Sequence, residues 1–141
     1  MKAWHRTEAE LNELLVRFLR AYEKGSVDDL MDLMVNDEAL LVIGTEADER
    51  CEGPDAVRAL FEQDMASSQG LTLESTWSST CAAGPVGWVA ADLVAHSIED
   101  GEEMVMPLRL TMVAVLVLQR WYIAQLHLSL VLGESAESAE E

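Results

Sequence analysis

Near the start of the chain Leu11, Leu14, Leu15, Phe18, Leu19 and Tyr22 stand at i, i+3, i+4, i+7, i+8 and i+11, which places them in one stripe on a helix face. Thr7 and Glu10 have the spacing of a capping box, and Gly25 stands where a left-handed residue ends a helix, so the pattern predicts a first helix from about Glu8 to Lys24. Ser26 followed by Asp29 signals a second start, with Leu30, Leu33 and Met34 facing inward to about Val35. The short branched run from Ala39 to Gly44 reads as a strand. Gly53-Pro54-Asp55 then opens a third helix, with Val57, Leu60, Phe61 and Met65 on one face and an end near Ser68.

After Gly70 the period changes from helical to alternating. Four strands are predicted, Leu71–Thr80, Val86–Glu99, Met104–Leu118 and Trp121–Leu132, and Asp100-Gly101 is a tight-turn signal that joins the middle two as a hairpin. Helices gathered before a run of long antiparallel strands give an α+β fold, with three helices of the N-terminal half on one face of a curved sheet. In the last strand the even positions Tyr122, Ala124, Leu126, Leu128 and Leu130 read as core, and the odd positions are mixed rather than polar. Three short helices cover one side of such a sheet, so a second cover is required for the other. Val89, Leu93, Val113, Val115, Ile123 and Val131 are expected to find it in a like copy, as a homodimer through the outer sheet face.

Composition narrows the partners. The chain has 141 residues, nine basic against 26 acidic, and a net charge of −17, with −10 of it between residues 25 and 70. That field repels phosphate backbones and anionic lipid, so neither nucleic acid nor a membrane is expected as a partner. The apolar run Val113–Leu118 is far shorter than the roughly 20 residues of a membrane helix. Cys51 and Cys81 are expected as free thiols in a reducing, cytoplasmic setting, in keeping with the lack of a leader-like apolar stretch near Met1. Residues 1–132 read as one domain and the acidic segment 133–141, without a large apolar residue, as a disordered tail.

The order and spacing of several segments resemble one family over nearly the whole chain. These are the leading amphipathic helix, Leu41-Val-Ile-Gly-Thr45 leading through Asp48-Glu49 to Glu52-Gly53, the helix Asp55–Met65, Gly87-Trp-Val-Ala90, Leu108-Arg-Leu-Thr111, and Trp121-Tyr-Ile-Ala-Gln-Leu-His-Leu-Ser129. They resemble the nuclear transport factor 2-like superfamily, and within it the SnoaL-like, polyketide-cyclase-like domains; the terminal segment is also similar to the closing strand of the calmodulin-dependent kinase II association domain. The resemblance implies a cone-shaped half-barrel, a cavity between the sheet's concave face and the first helix, and dimers through the sheets. It implies no single chemistry, since the fold hosts isomerases, cyclases, dehydratases, ligand binders and association domains.

Ketosteroid isomerase, an enzymatic relative in that superfamily, uses a carboxylate base on the first strand and a Tyr with a protonated Asp. By that pattern the two acids fall near Ile43 or Gly44 and near Met112 or Val113, all apolar here, while Tyr22 lies about one turn late. SnoaL-like cyclases rely on an Asp, and Asp92, sharing its strand face with Trp88, Ala90 and Val94, is the strand carboxylate assigned to the cavity side, with pairing to Arg109 as the structural alternative.

Other constellations point to structure. His127 and Ser129, two apart on one strand face, do not form an in-line nucleophile and base, and no Gly-x-Ser-x-Gly elbow exists. His127 and Gln125 are expected to bond across strands or to a second subunit. Glu46, Asp48, Glu49 and Glu52 read as a solvated acidic loop, and His5, His96 and His127 are too scattered for zinc, so no metal and no cofactor is expected. Two readings remain. One is a dimeric domain binding a small, largely apolar molecule without defined catalysis, lined by Phe18, Tyr22, Trp88, Asp92, Met112 and Leu128. The other is an enzyme of the cyclase, isomerase or dehydratase kind using Asp92 as acid and base.

Overall fold

The computed structural model describes residues 2–67 and 69–132; the expected tail at 133–141 lies outside them. Three helices, α1 (His5–Lys24), α2 (Val27–Asp32) and α3 (Pro54–Ser67), accompany six strands: β1 (Leu41–Ile43), β2 (Arg50–Glu52), β3 (Gln69–Ala83), β4 (Val86–Glu99), β5 (Glu102–Val117) and β6 (Arg120–Leu130). The strands form one curved sheet in the order β2-β1-β6-β5-β4-β3, antiparallel at every contact but β1 with β6. The architecture is the α+β class expected.

Local signals place most boundaries. Gly25 adopts φ 73° and its N–H bonds the last turn of α1, while the Ser26 side chain caps α2 by accepting from Asp29 N at 3.1 Å. The start of α1 differs from expectation: its N-cap is Trp4, which makes no side-chain cap, so Thr7 and Glu10 lie inside the helix. Helix α2 stops at Asp32 rather than Val35, because Leu33 O and Val35 N bond to Ile123 N and O at 2.8 and 2.9 Å and carry the chain alongside β6. Asp100 and Gly101, at φ 53° and 80°, make the predicted hairpin turn, and Leu118 and Gln119 make a second one without glycine.

Helix α1 lies across the inner face of the sheet. Its stripe of Leu11, Leu14, Leu15, Phe18 and Leu19 is buried in one core with the odd residues Val89, Ala91, Leu93 and Ala95 of β4 and the even residues Leu108, Leu110, Met112 and Ala114 of β5, and the helix packs on β3, β4 and β6. A Cβ on Gly87 would fall 2.7 Å from Leu11 Cδ1, so the closest approach of α1 to β4 has no room for a side chain. Polar bonds fix the helix at both ends: Trp121 Nε1 donates to Glu10 Oε1 at 3.1 Å, Thr80 Oγ1 to Asn12 Oδ1 at 3.0 Å, and Leu73 N to Glu23 Oε2 at 2.7 Å.

These faces correct part of the expected pattern. Val89, Leu93 and Ile123, assigned to an uncovered outer face, are core residues no more than 2% exposed. Val113 and Val115 remain outward and half-buried. In β6 the register slips between Val113 and Ala114, whose partners are Gln125 and Ile123, so Ala124 is an extra residue. Trp121 and Ile123 therefore point inward before the bulge and Leu126 and Leu128 after it, which confines the expected even-numbered core face to the second half of the strand.

Candidate functional site

A cavity of about 480 Å³ opens between α1, α3, the 44–49 loop and the inner face of β3–β6. Its apolar lining includes Phe18, Leu73, Leu93, Ala95, Leu108 and Leu128, and its polar lining includes Glu46, Glu49, Asp64 and Glu99. Among the described residues lining it there is no Lys, Arg or His.

Two helices bring the central pair together. Tyr22 extends the apolar stripe of α1 by one turn beyond Phe18, and its ring sits between Phe18 (centroids 5.8 Å) and Phe61 of α3 (6.3 Å, edge to face). Asp64 follows Val57, Leu60 and Phe61 by seven, four and three residues, so it lies on the buried stripe of α3. The Tyr22 hydroxyl donates to Asp64 Oδ2 at 2.6 Å, a short charge-assisted bond. Burial lifts the Asp64 carboxyl above the usual aspartate range; the Tyr22 hydrogen bond opposes this and Glu49 adds to it. Burial, reinforced by Asp64, pushes the Tyr22 phenol well above the ordinary tyrosine value, so it stays a donor.

The loop between β1 and β2 supplies the third group. Gly44 N donates to Glu49 O at 2.7 Å and Glu49 Oε1 accepts from Glu46 N at 3.2 Å, which folds the Glu49 side chain back over Gly44. A Cβ at Gly44 would collide with that carboxylate. Cys51 on β2 is half-buried beside this group, and burial, Glu49, Asp64 and Asp48 together hold its thiol above the usual range.

Of the residues the sequence nominated, Phe18, Tyr22 and Leu128 line the cavity. Met112 is 1% exposed within the core and does not reach the cavity wall. Trp88 and Asp92 lie on the opposite face of β4: Asp92 stands opposite Arg109, whose Nε donates to Asp92 Oδ1 at 3.3 Å, and both side chains are substantially exposed. The cause is parity. With Leu93 opposite Leu108 and Ala91 opposite Leu110 on the core side, Asp92 has to face out. His127 and Gln125 are exposed on that outer face, with His127 opposite Thr111. Sequence reasoning missed Asp64 and Glu49, although the position of Asp64 on an apolar stripe was a readable signal. Among the described residues no group of three or more His, Cys, Asp or Glu is placed to hold a metal ion. No described helix is long and apolar enough to cross a membrane.

Comparison with known proteins agrees with this architecture. A candidate dehydratase of the nuclear transport factor 2-like family from Streptomyces avermitilis superposes with a TM-score of 0.84 at 16% identity, over 91% of this chain and 99% of that one. A nuclear transport factor 2-like superfamily protein from Salmonella enterica gives 0.83 at 15% identity over 93% and 95%. A candidate aromatic ring hydroxylase from Novosphingobium aromaticivorans gives 0.82 at 12% identity over 94% of each. At these identities the likeness is one of fold. No curated protein sequence matches the chain. The family model of the SnoaL-like domain matches residues 11–133, most of the chain, and the protein therefore belongs to the SnoaL-like domain family.

Proposed function

We propose that this domain binds a small, uncharged, largely apolar molecule in the cavity beneath α1, with its one polar group directed at Tyr22 and Asp64. The carrying observation is the composition of the walls: apolar side chains beside carboxylates, the Tyr22 phenol, the hydroxyls of Thr45, Ser67 and Ser97 and the Gln63 amide, with no cationic side chain among the described lining residues. Burying an anionic ligand beside four carboxylates would leave its charge unpaired, which is strongly unfavourable. Neutral alcohols and ketones are therefore favoured over carboxylic acids of the same skeleton. A ligand held only by the folded state at about 100 times its Kd adds about 2.7 kcal/mol of stability. A thermal-shift panel of matched ketones, alcohols and carboxylates is expected to raise Tm with the neutral members only, and Leu128→Trp, which fills the cavity, is expected to abolish the response. Equal shifts with the acids, or an unchanged response in Leu128→Trp, would overturn this reading.

The domain acts as a homodimer through the outer sheet face in the same proposal. Trp88, Ala90, Val113 and Val115 are half-buried there with no helix over them, flanked by the Asp92–Arg109 pair and by Gln125 and His127. Sedimentation is expected to give twice the chain mass, and Val113→Glu to give the single mass; a monomeric parent at micromolar concentration counts against it. The two cysteines, free and half-buried, suit a reducing compartment such as the cytoplasm.

A further inference from the structure

We infer that the cavity selects its ligand by shape, taking a slender aliphatic chain with one neutral oxygen, laid along β4, in preference to a fused-ring compound. The inference rests on the binding reading above and adds a ligand class to it. The shape follows from the rungs of the sheet. On the inner face Leu93 is level with Leu108 and Leu130, Ala95 with Leu73 and Met106, and Ser97 and Glu99 continue the line along β4. Those four residues of β4 all line the cavity, and at about 3.3 Å per residue they span about 20 Å. Spread over that length, a volume of about 480 Å³ leaves a mean cross-section of about 24 Å². One extended hydrocarbon chain fills such a section, whereas a fused alicyclic skeleton is wider.

Burial gives the line a direction. Leu93, Ala95 and Ser97 are 2%, 3% and 5% exposed and Glu99 is exposed, so the slot is covered for three rungs and opens at the fourth. Its outward part stays apolar, lined by Leu71 and Met106, and Met104, opposite Ser97, lies 39% exposed beside it. The Ser97 hydroxyl is taken by Glu99 Oε2 at 3.5 Å, which spares a passing chain an unpaired donor. Glu23 accepts from Leu73 N, which sets the neighbouring Tyr22 level with the rung of Leu73, Ala95 and Met106. Inward of that rung the buried Phe18 and Leu93 close the cavity, so a chain whose oxygen meets Tyr22 extends past Ser97 towards Glu99. An unbranched chain follows the curve of the sheet by rotating single bonds. A rigid ring system has to widen the slot against a close-packed core.

Calorimetric titration with the primary alcohols from butanol to decanol measures affinity against chain length. Affinity is expected to rise about fourfold with each methylene, the gain from burying one such group. Decanol is expected to bind at least tenfold more tightly than cedrol, a rigid tricyclic alcohol of comparable partition into octanol. Ser97→Phe lays a ring across the slot one rung beyond Ala95, so butanol is expected to bind as in the parent and decanol to lose tenfold or more. Cedrol binding as tightly as decanol, or an affinity that does not rise with length, overturns the inference and leaves the binding reading standing. So does a Ser97→Phe protein that weakens butanol and decanol equally, or neither. If neither cedrol nor any of the linear alcohols binds, both readings fall. Should Ser97→Phe fail to fold, Leu71→Trp, on the wall beside the Thr72–His96 pair, decides by the same comparison of butanol with decanol.

Discussion

Two aspartates of this chain carry different consequences for stability. Asp64 titrates above its unfolded value, so its favourable contribution is present below the ordinary aspartate pKa near 3.8 and is lost as pH rises through the raised folded value. Asp64→Asn removes that loss while keeping an oxygen for the Tyr22 hydroxyl. Urea melts of parent and variant are expected to separate in favour of the variant as pH rises from 4 to 8. Asp92 pairs with Arg109 in the open, where such pairs are worth about 0 to 1 kcal/mol, so Asp92→Asn is expected to change stability by less than about 1 kcal/mol at either pH. Gly87 is a third point of sensitivity. Leu11, whose side chain meets the missing Cβ, is fully buried, so Gly87→Ala has to displace core and is expected to cost about 1–3 kcal/mol in the same melts.

The elements explain why the fold was readable and part of the site was not. Strong stripes and turn residues defined α1, the hairpin at Asp100-Gly101 and the β run, because each is a local pattern. The face of Asp92 is not local. Yet the two-residue turn pairs Glu99 with Glu102, so every even residue of β4 meets an odd residue of β5. Since the even residues Leu108, Leu110, Met112 and Ala114 of β5 are all apolar, the odd residues of β4 had to join them in the core, and Leu93 rather than Asp92 followed from the turn. Helix α3 was equally legible: a carboxylate among Val57, Leu60 and Phe61 belongs to something buried. The slip at Ala124 was hidden, because both faces of β6 are apolar and either parity fits the composition. Deleting Ala124 leaves Ile123 opposite Ala114 and Gln125 opposite Val113, so this variant is expected to melt cooperatively with modest loss. Deleting Leu126, which is fully buried opposite Met112, puts Gln125 or His127 in its place and is expected to abolish the folded circular-dichroism signal.

At the scale of the molecule, charge and sheet edges dominate. The net charge of −17 and the ten excess negatives between residues 25 and 70 repel one another across α2, the β1–β2 loop and α3. Screening over about 10 Å at 0.1 M salt relieves that repulsion, so Tm is expected to rise as potassium chloride is added, where a fold held mainly by surface ion pairs would lose stability. The sheet ends on one side in β3, fifteen residues long, whose outer flank is paired, among the described residues, only by a bridge from Lys2 to Cys81. An edge of that length is a template on which a foreign strand can dock and seed fibrils. Its two register breaks, between Gln69 and Thr72 and between Ser75 and Trp77, interrupt the row of amides that such growth would copy. Irregularity along β3 thus works as a colloidal safeguard, leaving a docking strand no unbroken ladder longer than that from Trp77 to Ala83.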